Sequence, residues 1–366
     1  MPCGHVGGGV FVSRAVEVPM PQARIVYEGK DISADISPYL VSVGYRDRLS
    51  GESDELELRL EDTDGRWRGD WYPGKGDSLT VSIGYAGQEL VSCGSFEVDE
   101  IELSFPPDEV SIRALATGIS VSCRTRKSKG YEKTTLAGVV RVVCGRLGLT
   151  PAGEVADIPI DRVTQYQESD LAFLTRLAGE YGHTFKISGK KMIFQRKDGV
   201  LTAESARTFK REDVTSCSFR DKLKDIPRKV KIKKQDAGKK ALKVYGKGSD
   251  DSLAVVGTTE QAQKKRGRTS KKASGDELRI VGRGSQAQLE AKGNAALQDA
   301  ELERCQAELA LFGDPSLRSG VSVTLGEDFG APAGKYLVTC SRHEISREGY
   351  TTTLTLARTA ALEKKA

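Results

Sequence analysis

The stretch "YRDRLSGESDELELRLED" (Tyr45–Asp62) decides the fold. Its second half alternates with period two: Leu56, Leu58 and Leu60 point one way, Glu55, Glu57, Arg59 and Glu61 the other. This is a strand with one dry face and one wet face. The stretch has an echo in "FRDKLKDIPRKVKIKKQD" (Phe219–Asp236), at a constant shift of 174 positions. Tyr45 meets Phe219, Arg46 meets Arg220, Asp47 meets Asp221, Leu49 meets Leu223, Leu56 meets Val230 and Leu58 meets Ile232.

The echo continues. "GDSLTVSIG" (Gly76–Gly84) matches "GVSVTLG" (Gly320–Gly326) at a shift of 242, with Leu79, Val81 and Ile83 against Val321, Val323 and Leu325. Gly94, Phe96 and Val98 then fall on Gly334, Tyr336 and Val338, and Val110, Ile112 and Ala114 on Thr352, Leu354 and Leu356. The jump in shift locates an insertion in the second copy, between about Asp236 and Gly320. Alternating strand pairs broken by Gly, Pro and Asp turns are how small antiparallel barrels are written. The expected fold is mainly β with α+β insertions: two similar antiparallel β-barrel domains, from an internal duplication, flanking a small α/β module.

Residues 1–21 form an N-terminal extension, 22–125 the first barrel, 126–205 the middle module and 206–362 the second barrel, interrupted at about 237–319. In the middle, "TTLAGVVRVVCGRLGL" reads as a helix with Thr134 or Thr135 as N-cap and Gly148 as its stop. "ESDLAFLTRLAGEYG" reads as a second helix, capped by Ser169 with Gly182 at its end, and "HTFKISGKKMIFQ" as a hairpin. In the insertion, Ser285 and Gln288 make a capping box before an alanine-rich helix that runs into a strand near Ala307–Phe312.

The 366 residues carry 29% charged and 38% hydrophobic residues and a net charge of +5, the balance of a soluble chain with more than one core. No stretch has the length of apolar residues that spans a bilayer, and "VGGGVFV" is too short and glycine-rich for a secretory leader. Seven cysteines are scattered singly with no CxxC pair, which argues against a disulfide framework or a zinc site and for buried small hydrophobes. His5, His183 and His343 have no metal-ligand spacing.

No convergent chemistry is visible. Glu168 and Asp170 sit at a helix start, where acids favour the dipole. "LEDTDG" (Leu60–Gly65) lacks calcium-loop spacing and reads as a strand-end turn. "GHVGGG" and "GKGSDD" lack the lysine–serine pair of a phosphate cradle. No catalytic residue, cofactor or metal is expected. The basic runs Arg228–Lys243 and Lys264–Lys272 attract phosphate in principle. No aromatic interleaves the second run to stack a base. A solvated loop or an electrostatic contact with an acidic partner protein is the simpler reading.

With these elements in order the chain resembles the phage late-control D family, the baseplate hub proteins of contractile tails. That family is related to the N-terminal hub part of the valine–glycine repeat spike proteins of type VI secretion. The residues that carry the resemblance are "QYQESDLAFLTRLAGEYG" (Gln165–Gly182), "LRLEDTDGRW" (Leu58–Trp67) with "GDSLTVSIGY", and "GKYLVTCSRHEISREGYTTTLTL". The likeness covers about residues 22–360; the first twenty residues match nothing, and the expectation is a hub without a repetitive needle or effector domain after the second barrel.

The resemblance implies a homotrimer whose six similar barrels form a pseudo-sixfold ring. Such a ring joins a sixfold tail tube protein to a threefold tail spike protein and leaves a central conduit. Tape-measure and other baseplate proteins are further expected partners, and DNA passes only as non-specific transit. The place is the virion tail baseplate, assembled in the host bacterial cytoplasm. Expected partner-contact or pore residues are Arg266, Arg268, Lys271 and Lys272 of the basic loop, with Glu57 and Arg59 of the wet face. Whether that face lines a pore or a subunit contact stays open. The competing expectation is a type VI-like puncturing protein with an effector or cell-wall-degrading activity.

Overall fold

The structure is a computed structural model that describes residues 19–51, 53–116, 125–222, 229–236, 241–248, 254–258, 277–281 and 284–361. The amino-terminal half is antiparallel: β1 (Pro21–Tyr27), β2 (Lys30–Asp31), β3 (Leu40–Arg48), β4 (Glu55–Glu61), β5 (Ser78–Tyr85), β6 (Val91–Ser104) and β7 (Glu109–Ala116). Alternation places Leu56, Leu58 and Leu60 in its core beside Val43, Val81, Phe96 and Ile112. Each such side chain removed from water stabilises the sheet by about 1.5–3 kcal/mol. At the end of β4 the "LEDTDG" segment is a turn around a buried Asp62. Its carboxylate accepts from Trp67 N at 2.9 Å and Arg68 Nε at 2.9 Å, while Gly65 takes φ +71° to close it.

The middle module begins with β8 (Lys127–Thr135), α1 (Leu136–Leu147), β9 (Thr150–Ala152) and β10 (Pro159–Glu168). It ends with α2 (Asp170–Glu180), β11 (His183–Ser188) and β12 (Lys191–Arg196). Thr135 caps α1 through Gly138 N at 3.2 Å, and Gly148 ends it in the left-handed region. Ser169 caps α2 through Ala172 N at 3.1 Å. The buried face of α2 is Phe173, Leu174, Leu177 and Ala178; Leu171 is only partly buried.

The carboxy-terminal half holds β13 (Ser205–Phe209), β14 (Ser216–Asp221), β15 (Lys229–Asp236), β16 (Ala241–Gly248), β17 (Ala254–Thr258) and β18 (Glu277–Val281). Helix α3 (Gln286–Arg304) follows, then β19 (Cys305–Phe312), β20 (Ser322–Leu325), β21 (Gly334–Ser346) and β22 (Gly349–Ala361). Both bonds of the Ser285–Gln288 capping box form at the start of α3.

The two halves use the same strand order. The first runs β3-β4-β7-β6-β5-β1 and the second β14-β19-β22-β21-β20-β13. Local detail repeats as well. Gly76 N donates to Val98 O at 2.7 Å and Val98 N to Asp77 O at 2.9 Å; Gly320 N donates to Val338 O at 2.8 Å and Val338 N to Val321 O at 2.9 Å. In each half the ladder then slips by one residue, between Val98 and Glu100 and between Val338 and Cys340.

This register corrects two sequence matches. The strand corresponding to β4 is β19, because Tyr45 pairs with Leu56 and Phe219 pairs with Ala307. Val230 and Ile232 lie instead in β15, inside a separate four-stranded sheet ordered β17-β16-β15-β18. The main sheet is therefore interrupted between Asp221 and Cys305, not between Asp236 and Gly320. Likewise Leu79, paired with Phe96, corresponds to Val323, paired with Tyr336, two residues beyond the sequence match. A period-two pattern is unchanged by a two-residue slip or by exchange of one basic amphipathic strand for another, so it fixes faces and not partners.

The strands expected for two barrels form one hydrogen-bonded path that crosses between the halves. β3 pairs antiparallel with β21, from Ser42↔Ser346 to Arg48↔Cys340, which merges both halves in a 13-stranded sheet. Among the described residues no backbone pairing closes either half on itself.

Candidate functional site

The seam between β3 and β21 is where the two halves are locked. On its dry face Tyr45 stacks on His343, ring centroids 6.0 Å apart, and both are buried with Val43, Ser341 and Ile345. His343 Nε2 donates to Leu317 O at 3.1 Å and Nδ1 accepts from Tyr350 Oη at 2.9 Å, so the neutral ring has every polar atom used. Burial, and then the nearby Arg318 guanidinium, hold its pKa at about 4, below the ordinary 6.5.

The native state thus takes up fewer protons than the unfolded chain as pH falls from 6.5 to 4. This contribution to stability is whole above pH 6.5, declines as acid is added and is gone below pH 4, a loss of about 3 kcal/mol. Urea unfolding of wild type and His343→Gln at pH 7 and pH 4 checks it. The wild type is expected to lose about 3 kcal/mol more than the variant.

Beneath the seam lies a buried ionic cluster that binds all three parts of the chain. Lys186 of β11 makes ion pairs with Asp47 of β3 and with Asp54, the latter at 2.8 Å. Asp47 also accepts from Ser319 N at 3.0 Å and Ser319 Oγ at 2.6 Å, and Asp54 from Arg48 N at 3.1 Å. Arg318 lies over the Tyr45 ring at 4.9 Å and donates to Ser92 O at 3.1 Å. Burial pushes the Asp54 carboxyl above its usual range, against the opposing pull of Lys186. The cluster ties β3, β11 and the Ser319 segment together. Nothing in the alternation of Tyr45–Asp62 announces it, since its cation comes from a strand 139 positions on.

The residues singled out from sequence are dispersed. Glu57 and Arg59 sit on the wet face of β4, where Arg59 pairs with Glu109 at 2.6 Å and Glu57 accepts from Ser111 Oγ at 3.4 Å. Neighbouring strands extend that face with Arg46–Glu55 at 3.5 Å, Arg113–Glu100 at 3.1 Å and Arg342–Glu344 at 3.3 Å. Arg266, Arg268, Lys271 and Lys272 lie outside the described residues. Asp170, read as a helix-start acid, is wholly buried, held by Lys127 at 2.7 Å, by Arg146 and by Gln165 Nε2 at 2.9 Å. Glu168 pairs with Arg176 at 3.0 Å. Among the described residues no three His, Cys, Asp or Glu side chains are grouped to hold a metal ion, and no helix is long and apolar enough to cross a membrane.

This mainly β fold, with its large and mostly antiparallel sheet, matches that of solved phage tail proteins. The 43 kDa tail protein of prophage MuSo2 from Shewanella oneidensis shares it, with a TM-score of 0.66 at 16% identity over 93% of this chain and 98% of that one. An Escherichia coli component of the type VI secretion system, described as similar in structure to T4 tail proteins, shares it at a TM-score of 0.51 and 13% identity, over 87% and 73% of the two chains.

Residues 93–349 match the phage tail baseplate hub (GPD) family, and the chain belongs to that family. The probable baseplate hub protein of Escherichia phage 186 is 33% identical over 185 residues, which are 50% of this chain and 47% of that protein. The chain thus spans about half the length of the curated relative it matches.

Proposed function

We propose that this chain is a structural baseplate hub of a contractile phage tail or tail-like particle. Three copies form a ring with six similar faces, set between the sixfold tail tube and the threefold spike, around a conduit. The observation that carries this reading is the repeated strand order of the two halves, with its repeated ladder slip. A duplicated unit in a threefold ring doubles the apparent order of the ring. Tail tube and spike proteins are then the natural partners, with tape-measure and other baseplate proteins beyond them. The continuous Arg and Glu pairs of the wet face supply polar surface toward a conduit or a neighbour without a single-sign field that would hold DNA.

Sedimentation equilibrium tests the proposal, alone and with the cognate spike protein. Three chain masses, with or without the spike, are expected; a chain that stays monomeric with the spike present at micromolar concentration refutes the ring.

A further inference from the structure

The connection between β4 and β5 folds back over one end of the first half and leaves a pocket of about 300 Å³ there. Its inner end is the dry face of the sheet, where Leu58, Leu60 and Ile112 reach it. Its outer wall is aromatic. Trp67 stands edge-on to Trp71 with ring centroids 5.5 Å apart, and Tyr39 braces Trp71 at 5.9 Å. The Arg66 guanidinium lies over the Trp71 ring at 5.1 Å. Asp62 anchors the start of the segment through Trp67 N at 2.9 Å, so the wall is preorganised. Tyr72, also on the lining, is 50% exposed.

Three features define what fits. The volume is at the lower end of ligand pockets, which run from roughly 300 to 1,000 Å³, and suits one large side chain rather than a cofactor. The indole N–H of Trp67 is buried with its ring and finds no acceptor among the described residues; a buried donor is ordinarily satisfied, so an acceptor from outside fits here. The rim is acidic. Lys30 is offset by Asp35 at 3.6 Å, while the exposed Asp70 has no ion-pair or hydrogen-bond partner among the described residues. On a chain of net charge +5, that free carboxylate gives the mouth a local preference for a cation.

We propose that the pocket binds a peptide segment of a partner protein. A large apolar side chain of the segment enters against the tryptophans and leucines, and one of its backbone carbonyls accepts from Trp67. A neighbouring Lys or Arg lies against Asp70. The aromatic wall occurs once per chain. Sixteen residues, 62–77, join β4 to β5, against nine, 313–321, between their counterparts β19 and β20, and those nine include no aromatic residue. Leu317 of the shorter connection is instead packed into the second core. Halves alike in strand order are thus unlike at this end, and a partner meets one such site per chain, however many copies assemble.

In the test, the full chain is titrated at low salt with three capped peptides of glycine and serine: one carrying Phe and Lys, one Phe and Glu, one Lys alone. Trp67 and Trp71 are the chain's two tryptophans and the peptides have none, so the emission reads this wall. Expected is a saturable change with the Phe–Lys peptide at one per chain, binding about tenfold weaker with the Phe–Glu peptide, and no change with Lys alone. Asp70→Lys, at an exposed position, leaves the urea midpoint unchanged and reverses the order of the first two. Equal binding of those two peptides, or an order that Asp70→Lys does not alter, overturns the proposal; so does silence toward all three. Emission that changes on dilution without peptide assigns the pocket to a second copy and overturns it as well.

Discussion

Replacing Lys186 with methionine is expected to lower the unfolding free energy by about 3–5 kcal/mol. The ammonium is the only cation drawn to Asp47 and Asp54 together among the described residues. Without it two carboxylates, each under a tenth exposed, face one another in a poorly solvated space. Methionine preserves most of the volume, so the loss reports charge rather than packing. A second substitution should recover a large part of it: Lys186→Met with Asp54→Asn leaves one carboxylate, still bonded to Ser319. Urea unfolding at pH 7 of wild type, single and double variants checks this. A loss under 1 kcal/mol in the single variant, or no recovery in the double, would show that the cluster does not fix the modules.

Leu58→Asp is expected to leave no soluble folded protein. Leu58 is 1% exposed and faces Val43 and Ile112 across its two neighbouring strands. The residues packed around it in the core are hydrophobic, so an aspartate there carries its charge into an apolar interior. Burying an unpaired carboxylate costs far more than the several kcal/mol by which a domain is stable. The soluble fraction after expression, and circular dichroism of whatever remains soluble, measure the outcome. A soluble variant with native β content would place residue 58 on the wet face.

Much of the architecture is written locally. Leu56, Leu58 and Leu60 had to share a face because a strand alternates, and Thr135, Ser169 and Ser285 cap their helices because the first amides of a helix lack intrahelical acceptors. Glycines at 65 and 148 end their elements in a conformation other residues resist. The candidate site was much less legible. Glu57 and Arg59 were visible as wet-face residues, yet the seam, the Tyr45–His343 stack and the Asp47–Lys186–Asp54 cluster were not.

The sequence by itself determined which residues of the first strands are dry and where the helices begin and stop. Only the tertiary structure decided that Cys305–Phe312, not Lys229–Asp236, completes the second half, and that β3 joins β21. The physical reason is that alternation and capping are set by neighbours a few residues apart. The choice of a partner strand, and of the lysine that neutralises two buried aspartates, is made by contacts far apart in the chain that no local pattern encodes.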